Sequence, residues 1–292
     1  MIDKLSIMAV MIPAVAIVGV PLYYDNNRLT TSRYNITSTK IPSAFEGFKI
    51  LQLSDLHSKS FGKENHKLIN DIDKENPDII VMTGDMVNSR DNNFDIFINL
   101  AKIIAEKYEV YFVLGNNEQK LDNDKSDFLM KKLRQIGVKI LNNRKVKLTK
   151  GDNTVNLYGM WFSLSYYRDM SSEYSKDIYF KEENMKNILG LCNDKEYNIL
   201  LTHNPLYFDT YTKWGADLVI AGHVHGGLIR LPLLGGLLSP ERKFFPKYSA
   251  GEYSIEGSKL ILNTGLGSKI IIPRVFNRPE ISVITLLSDN IL

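Results

Sequence analysis

The stretch DIIVMTGDMVN, Asp78 to Asn88, sets the reading of the whole chain. Four apolar residues in succession, Ile79 to Met82, fit a strand buried on both faces, and the run stops at Thr83-Gly84-Asp85. A carboxylate is thereby delivered at the C-terminal end of a central strand, where open α/β sheets place their ligand sites. Taken alone, Asp85 reads as a residue capping the next turn. Its meaning depends on what the neighbouring segments deliver beside it.

On the N-terminal side, Lys49 to Leu53 reads as a strand ending in Ser54-Asp55-Leu56-His57, and Asn65 to Glu75 as a helix with Leu68, Ile69 and Ile72 on one face. On the C-terminal side, Phe94 to Lys107 has helical periodicity, and Glu109 to Leu114 reads as a strand ending in Gly115-Asn116-Asn117-Glu118. Three strand–helix repeats predict a parallel sheet with right-handed crossovers. Asp127 to Gly137 continues the pattern as a helix, whereas Lys145 to Leu148 and Val155 to Met160 are closely spaced and predict antiparallel pairing. After a helix around Asn184 to Cys192, the short strands Asn198 to Thr202 and Asp217 to Ala221 end in His203 and in Gly222-His223-Val224-His225. Glu252 to Ile255, Lys259 to Leu262 and Ile281 to Leu286 are further strands, and no internal repeat or low-complexity tract is present.

With 292 residues, 44% hydrophobic and 24% charged, the chain has the composition of an ordinary globular protein. A net charge of +3 without a basic block or aromatic stripe makes nucleic acid an unlikely partner. The single cysteine, Cys192, excludes an internal disulfide and a thiolate metal cluster, and reads as a structural thiol. Residues 1–24 stand apart. Leu5 to Tyr24 carries no charge, and 20 residues at about 1.5 Å each would cross a hydrocarbon layer of about 30 Å. No small-residue cleavage site follows, so a retained membrane anchor is preferred to a cleaved signal. Lys4 precedes the segment and Arg28, Arg33 and Lys40 follow it, which does not settle orientation. Residues 25–47 read as a polar linker with room for one short strand, and 48–292 as the main folded domain.

The polar strand ends collect into one set: Asp55, His57, Asp85, Asn116, His203, His223 and His225. Four of the chain's five histidines are in it, each after an apolar run. Carboxylates, imidazoles and an amide oxygen without thiolate suit two divalent transition-metal ions, with Mn, Zn, Fe or Co favoured over Cu(I), and over Mg or Ca.

The order D-x-H, GD, GN, H, GHxH, with the later text GHVHGGLIRLP, FFPKYSAGEY and NTGLGSKIIIPRVFNRPEI, resembles the calcineurin-like metallophosphoesterases, in particular a bacterial branch that is often membrane-anchored or exported. The match spans roughly residues 48 to 287. The resemblance implies an α/β fold, a four-layer α/β/β/α sandwich of two mixed sheets, here behind an N-terminal transmembrane segment. It implies that Asp55, His57, Asp85 and His225 hold one metal, that Asp85, Asn116, His203 and His223 hold the other, and that Asp85 bridges them. It further implies phosphoester hydrolysis by a metal-bound hydroxide, with Asp85, Asn116, Asn117 and His203 as the catalytic group, and a single-pass cell-membrane protein whose catalytic domain is extracytoplasmic. A site with two divalent ions and two carboxylates is cationic and draws in phosphate.

One position departs from the family. Where it normally carries Gly-Asn-His-Glu or Gly-Asn-His-Asp, this chain has Gly115-Asn116-Asn117-Glu118, and Asn117 cannot release a proton. General acid catalysis contributes ~10² to 10⁴ in rate, mostly for poor leaving groups. The departure therefore favours phosphodiesters or phosphoanhydrides over monoesters, a substitute donor, or low activity. The alternative reading is a membrane-associated metal-binding protein with little catalysis. The uncommitted His66 reads as a surface residue.

The segment after His225 contains Leu231, Leu233, Leu234, Leu237 and Leu238 among Gly and Pro, either packed beneath the site or forming an apolar lip for a lipid-linked phosphate. A phosphorylated small molecule is the other substrate class. Trp161, Phe162, Tyr166 and Tyr167 read as core aromatics that could also stack on a base or sugar. Arg230, with Asn117, is the candidate substrate contact, and Arg274 and Arg278 are weaker ones.

Overall fold

A computed structural model describes residues 23, 26–167, 179–227, 230–231, 235–237, 244–267 and 274–289. The apolar N-terminal segment lies outside these residues apart from Tyr23. Among the described residues no helix is long and apolar enough to cross a membrane.

Two six-stranded mixed sheets form the centre. The first contains β1 (Thr30–Ser38), β2 (Phe48–Leu53), β3 (Ile79–Met82), β4 (Glu109–Phe112), β5 (Lys139–Ile140) and β14 (Glu280–Ser288), in the order β1-β14-β2-β3-β4-β5. Strands β2 to β5 are parallel, as the strand–helix repeats predict, and only β14 against β2 is antiparallel. The second sheet contains β6 (Arg144–Lys150), β7 (Asn153–Met160), β8 (Asn198–Thr202), β9 (Leu218–Ala221), β12 (Gly251–Ile255) and β13 (Ser258–Leu262), in the order β12-β13-β9-β8-β7-β6. The expected antiparallel pairing is present between β6 and β7. A small ribbon, β10 (Arg230–Leu231) with β11 (Gly235–Gly236), follows the second sheet's histidine loop.

Side chains alternate across a strand, and that alternation builds the layers. On β3, Ile80 and Met82 pack with Leu68 and Ile72 of α1 (His66–Glu75) and with Phe97, Leu100, Ala101 and Ile104 of α2 (Asp95–Ala105). Ile79 and Val81 face the other way and meet Val155, Leu157, Ile199, Leu201 and Ile220 of the second sheet. Leu200, Val219, Leu260 and Leu262 turn outward to Met185 of α4 (Glu182–Leu189) and Phe208, Tyr211 and Trp214 of α5 (Phe208–Trp214). With α3 (Asn123–Gln135) beside α2, the result is an α/β/β/α sandwich with three apolar interfaces.

The region read as a linker contributes more than expected. β1 is a nine-residue strand, in register with β14 from Thr30 opposite Glu280 to Ser38 opposite Ser288. Only Ile36 of β1 is buried, which is why TTSRYNITS carries so little strand signal. Helix α4 ends at Leu189, so Cys192 lies beyond it, its thiol donating to the Gly215 carbonyl and pushed by burial up to about 11.

Candidate metal centre

The apolar strands β2, β3, β8 and β9 run parallel within their sheets, so their C-terminal ends emerge on one side and carry Asp55, His57, Asp85, His203, His223 and His225 there. Asn116 follows β4 on the same edge. Gln52 ties the two halves at this edge, its amide donating to Thr83 Oγ1 of the first sheet and to the Ala221 carbonyl of the second, each at 2.8 Å.

Backbone geometry there is unusual. Asp55, His57, Asp85, His223 and His225 all have positive φ, between 49° and 78°. For non-glycine residues this is uncommon and costs energy, and it concentrates where tight turns must present a side chain. The turns are also crowded: a Cβ on Gly222 would lie 2.0 Å from Ser54 Oγ and 2.4 Å from Asp55 Oδ2, and one on Gly115 would lie 2.3 Å from Asp85 Oδ1.

Two groups of buried side chains could each hold a metal ion: Asp55, His57 and His225, and Asp55, Asp85 and His203. Nε2 of His57 and Nε2 of His225 face each other at 3.2 Å, and His225 Nε2 is 3.4 Å from Asp55 Oδ1. Asp55 belongs to both groups, its Oδ1 also lying 3.9 Å from His203 Nε2, and Asp85 Oδ2 stands 3.4 Å from His203 Nε2 and 3.8 Å from His57 Nε2 of the first group. His223 joins the second group, Nδ1 lying 3.3 Å from His203 Nε2. Among the described residues, Asp55 Oδ1 and Asn116 Oδ1 are buried without a hydrogen-bond partner. Buried acceptors are rarely left so, and unpaired oxygens beside facing imidazole nitrogens are what a cation would satisfy. The donor set therefore fits divalent ions.

Supporting contacts orient these ligands. His203 Nδ1 lies 2.7 Å from the Thr83 carbonyl, where its N–H donates and frees Nε2 toward the site. His57 Nδ1 is 3.0 Å from Asn88 Oδ1. Asp55 Oδ2 accepts from Ser54 Oγ at 2.6 Å and from the His223 amide at 3.1 Å. Burial raises the Asp55 and Asp85 pKa, but the surrounding histidines outweigh it and hold both carboxyls below their usual range. His203 is burdened by burial yet lifted to about 9 by Asp85 and Asp55, while burial and the neighbouring His57 and Arg274 push His225 down to about 3.

Two residues that the sequence did not mark out as supports are central here. Glu118, 1% exposed, accepts from four backbone amides: Asp85 at 2.9 Å, Met86 at 2.7 Å, Val87 at 3.2 Å and Gly115 at 2.8 Å. It fixes the loop after β3 against the loop after β4. Burial first, then Asp85, raises its carboxyl to about 7. Asn117 is fully buried and turned to Asp85: its backbone amide donates to Oδ1 at 2.7 Å and its side-chain amide to Oδ2, while its own Oδ1 accepts from the Ser89 amide at 3.2 Å.

The arginines separate. Arg230 bends back to the Gly226 carbonyl and lines, with Arg278, a cavity of about 470 Å³ beside β1. Arg274, 2% exposed, is the one at the metal ligands: its guanidinium donates to the Gly267 carbonyl and comes within 3.5 Å of His225 Nδ1. His66 is exposed and its ring meets the Lys63 carbonyl, away from the ligands. Trp161, Phe162 and Tyr166 line a cavity of about 850 Å³, and Tyr167 points elsewhere, edge-on to His223 with ring centroids 5.0 Å apart. Leu233, Leu234 and Leu238 lie outside the described residues; Leu237 is half-buried.

Known proteins resemble the chain along most of its length. It is 28% identical to the metallophosphoesterase YkuE of Bacillus subtilis (strain 168), over 93% of this chain and 90% of the relative. It is 26% identical to the phosphodiesterase YaeI of Escherichia coli (strain K12), over 82% of each. It is 23% identical to the UDP-2,3-diacylglucosamine pyrophosphatase LpxG of Chlamydia muridarum (strain MoPn / Nigg), over 91% of this chain and 92% of that protein. Residues 48–227 match the family model of the calcineurin-like phosphoesterases, and with the two ligand groups in place the chain belongs to that family, a phosphoric ester hydrolase that works with two divalent metal ions.

Proposed function

We propose that the protein hydrolyses phosphodiesters or phosphoanhydrides rather than monoesters, with a lipid-linked phosphate as its substrate class. Asp55, His57, Asp85 and His225 would hold one ion and Asp85, Asn116, His203 and His223 the other, with Asp85 shared. The observation that supports two adjoining ion positions is the carboxylate pair: Asp85 Oδ2 and Asp55 Oδ1 each lie within 4 Å of an imidazole nitrogen from both groups, and the sharing of Asp85 follows the family resemblance. The oxygen and nitrogen donors favour Mn, Zn or Fe. When bound, such a pair polarises the phosphoryl oxygens and lowers the pKa of a water.

The chain's own residues supply placement. Asn117 and Glu118 hold Asp85 and its loop, Ser54 and the His223 amide hold Asp55, and Thr83 sets the His203 tautomer. Asn117 is committed on both ends of its amide and has no proton to give, which supports a substrate whose leaving group needs little protonation.

Support for a lipid partner comes from Phe244, Phe245 and Phe276, 70%, 57% and 65% exposed. They sit on the loops around the ribbon that follows His225: the Phe245 amide donates to the Leu237 carbonyl, and the Arg230 amide to the carbonyl of Val275, next to Phe276. Large apolar side chains exposed on loops that adjoin the ribbon after the candidate metal centre suit an acyl chain or a bilayer surface. That LpxG is named for a diacylated pyrophosphate substrate accords with this reading. A membrane anchor in residues 1–24, with the catalytic domain extracytoplasmic, belongs to the same proposal.

The test is metal analysis of the purified protein followed by a screen of Mn-, Zn- and Fe-loaded enzyme against aryl diesters, nucleotides, pyrophosphate-linked sugars and phospholipids. Preference for diesters or anhydrides is expected. Faster turnover of simple monoesters would overturn the reading.

A further inference from the structure

Tyr167 closes the short 3-10 turn Leu164–Tyr167 after β7. Its ring stands edge-on to His223, centroids 5.0 Å apart, and 6.1 Å from that of His203. Its hydroxyl is buried and has no hydrogen-bond partner among the described residues. A buried hydroxyl without a partner costs ~1 to 3 kcal/mol, so phenylalanine would serve packing better at this position. Asp55 Oδ1 and Asn116 Oδ1, likewise unpaired among the described residues, are oxygens suited to a cation. An unpaired O–H in the same place awaits an acceptor instead, and the acceptor that the chemistry brings there is a substrate oxygen.

Which oxygen follows from the turn itself. Tyr166 and Phe162 line the 850 Å³ cavity, whereas Tyr167, its ring 5.6 Å from that of Phe162, faces the histidines. The turn thus stands between a space able to hold an organic group and the candidate metal ligands. A substrate with its organic part in that space and its phosphoryl group at the ions would pass Tyr167. We propose that the Tyr167 hydroxyl donates a hydrogen bond to the leaving-group oxygen, stabilising the charge that grows there as the P–O bond breaks. The hydroxyl keeps its proton throughout. The inference rests on the diesterase reading above and fills the place that Asn117, bound to Asp85 and Ser89, leaves open.

The experiment compares full-length wild type and Tyr167→Phe on methyl 4-nitrophenyl phosphate and on an alkyl diester, with metal content and thermal unfolding measured alongside. Expected are unchanged metal content, an unfolding midpoint no lower than wild type, a loss on the order of 10²-fold in kcat for the alkyl ester, and a much smaller loss for the aryl one. An equal loss on both esters, or loss of bound metal, assigns Tyr167 a positioning role and overturns the proposal. A metal-loaded wild type that cleaves neither ester overturns the diesterase reading, and this inference with it.

Discussion

At the scale of single residues, Asp85 is held by its neighbours more firmly than by its own strand. Glu118 gathers four amides from two loops, and Asn117 fastens both carboxylate oxygens of Asp85. Glu118→Gln would turn an amide N–H toward backbone N–H groups. It should lower stability by about 2 kcal/mol, measured by denaturant unfolding, and weaken metal binding ~10- to 100-fold, measured by chelator competition. Asn117→His should speed alkyl diesters more than aryl ones in parallel assays; equal effects would remove the leaving-group argument. The seven candidate ligands were legible because each ends an apolar run, and the structure gathers them at one edge. Glu118 stands in the sequence only as the end of Gly-Asn-Asn-Glu, since acceptance of backbone amides from a distant loop leaves no local pattern. The sequence ranks Arg230 above Arg274, yet it is Arg274 that meets His225, because burial there depends on where a remote loop folds back.

At the scale of elements, strand ends and the turns after them do the positioning. Gly222 has no positive φ, yet a methyl group there would meet Ser54 and Asp55. Gly222→Ala should therefore displace Asp55 and reduce metal content without a comparable loss of secondary structure, checked by metal analysis beside circular dichroism. Helix boundaries show what local signals resolve. The third helix was expected from Asp127, but α3 begins at Asn123, after Asp122 caps it by accepting from the Lys125 amide at 3.0 Å. The polar first turn, with no apolar residue before Phe128, hides the start from periodicity. β1 was hidden for the related reason that an edge strand with one buried side chain has no alternation to read.

At the scale of the whole molecule, the parallel repeats and the later antiparallel pairing were legible, but the insertion of β14 between β1 and β2 was not. That insertion joins residues 250 positions apart in β1–β14 and 230 to 238 apart in β14–β2, pairings that no local sequence pattern selects. The same assembly places exposed Phe244, Phe245 and Phe276 on the loops that follow the metal ligands. Replacing all three with Ser should weaken flotation with anionic liposomes and hydrolysis of a lipid-linked phosphate while sparing a soluble aryl diester. Unchanged lipid activity would sink the apolar-lip proposal. The central claim is that one carboxylate at the end of β3 serves two ions. Metal stoichiometry of purified wild type and Asp85→Asn, measured by elemental analysis, tests it most directly. The account predicts two divalent ions per chain in the wild type and loss of both, with hydrolysis, in the variant. An Asp85→Asn protein that keeps two ions, or loses only one and still turns over, would contradict it.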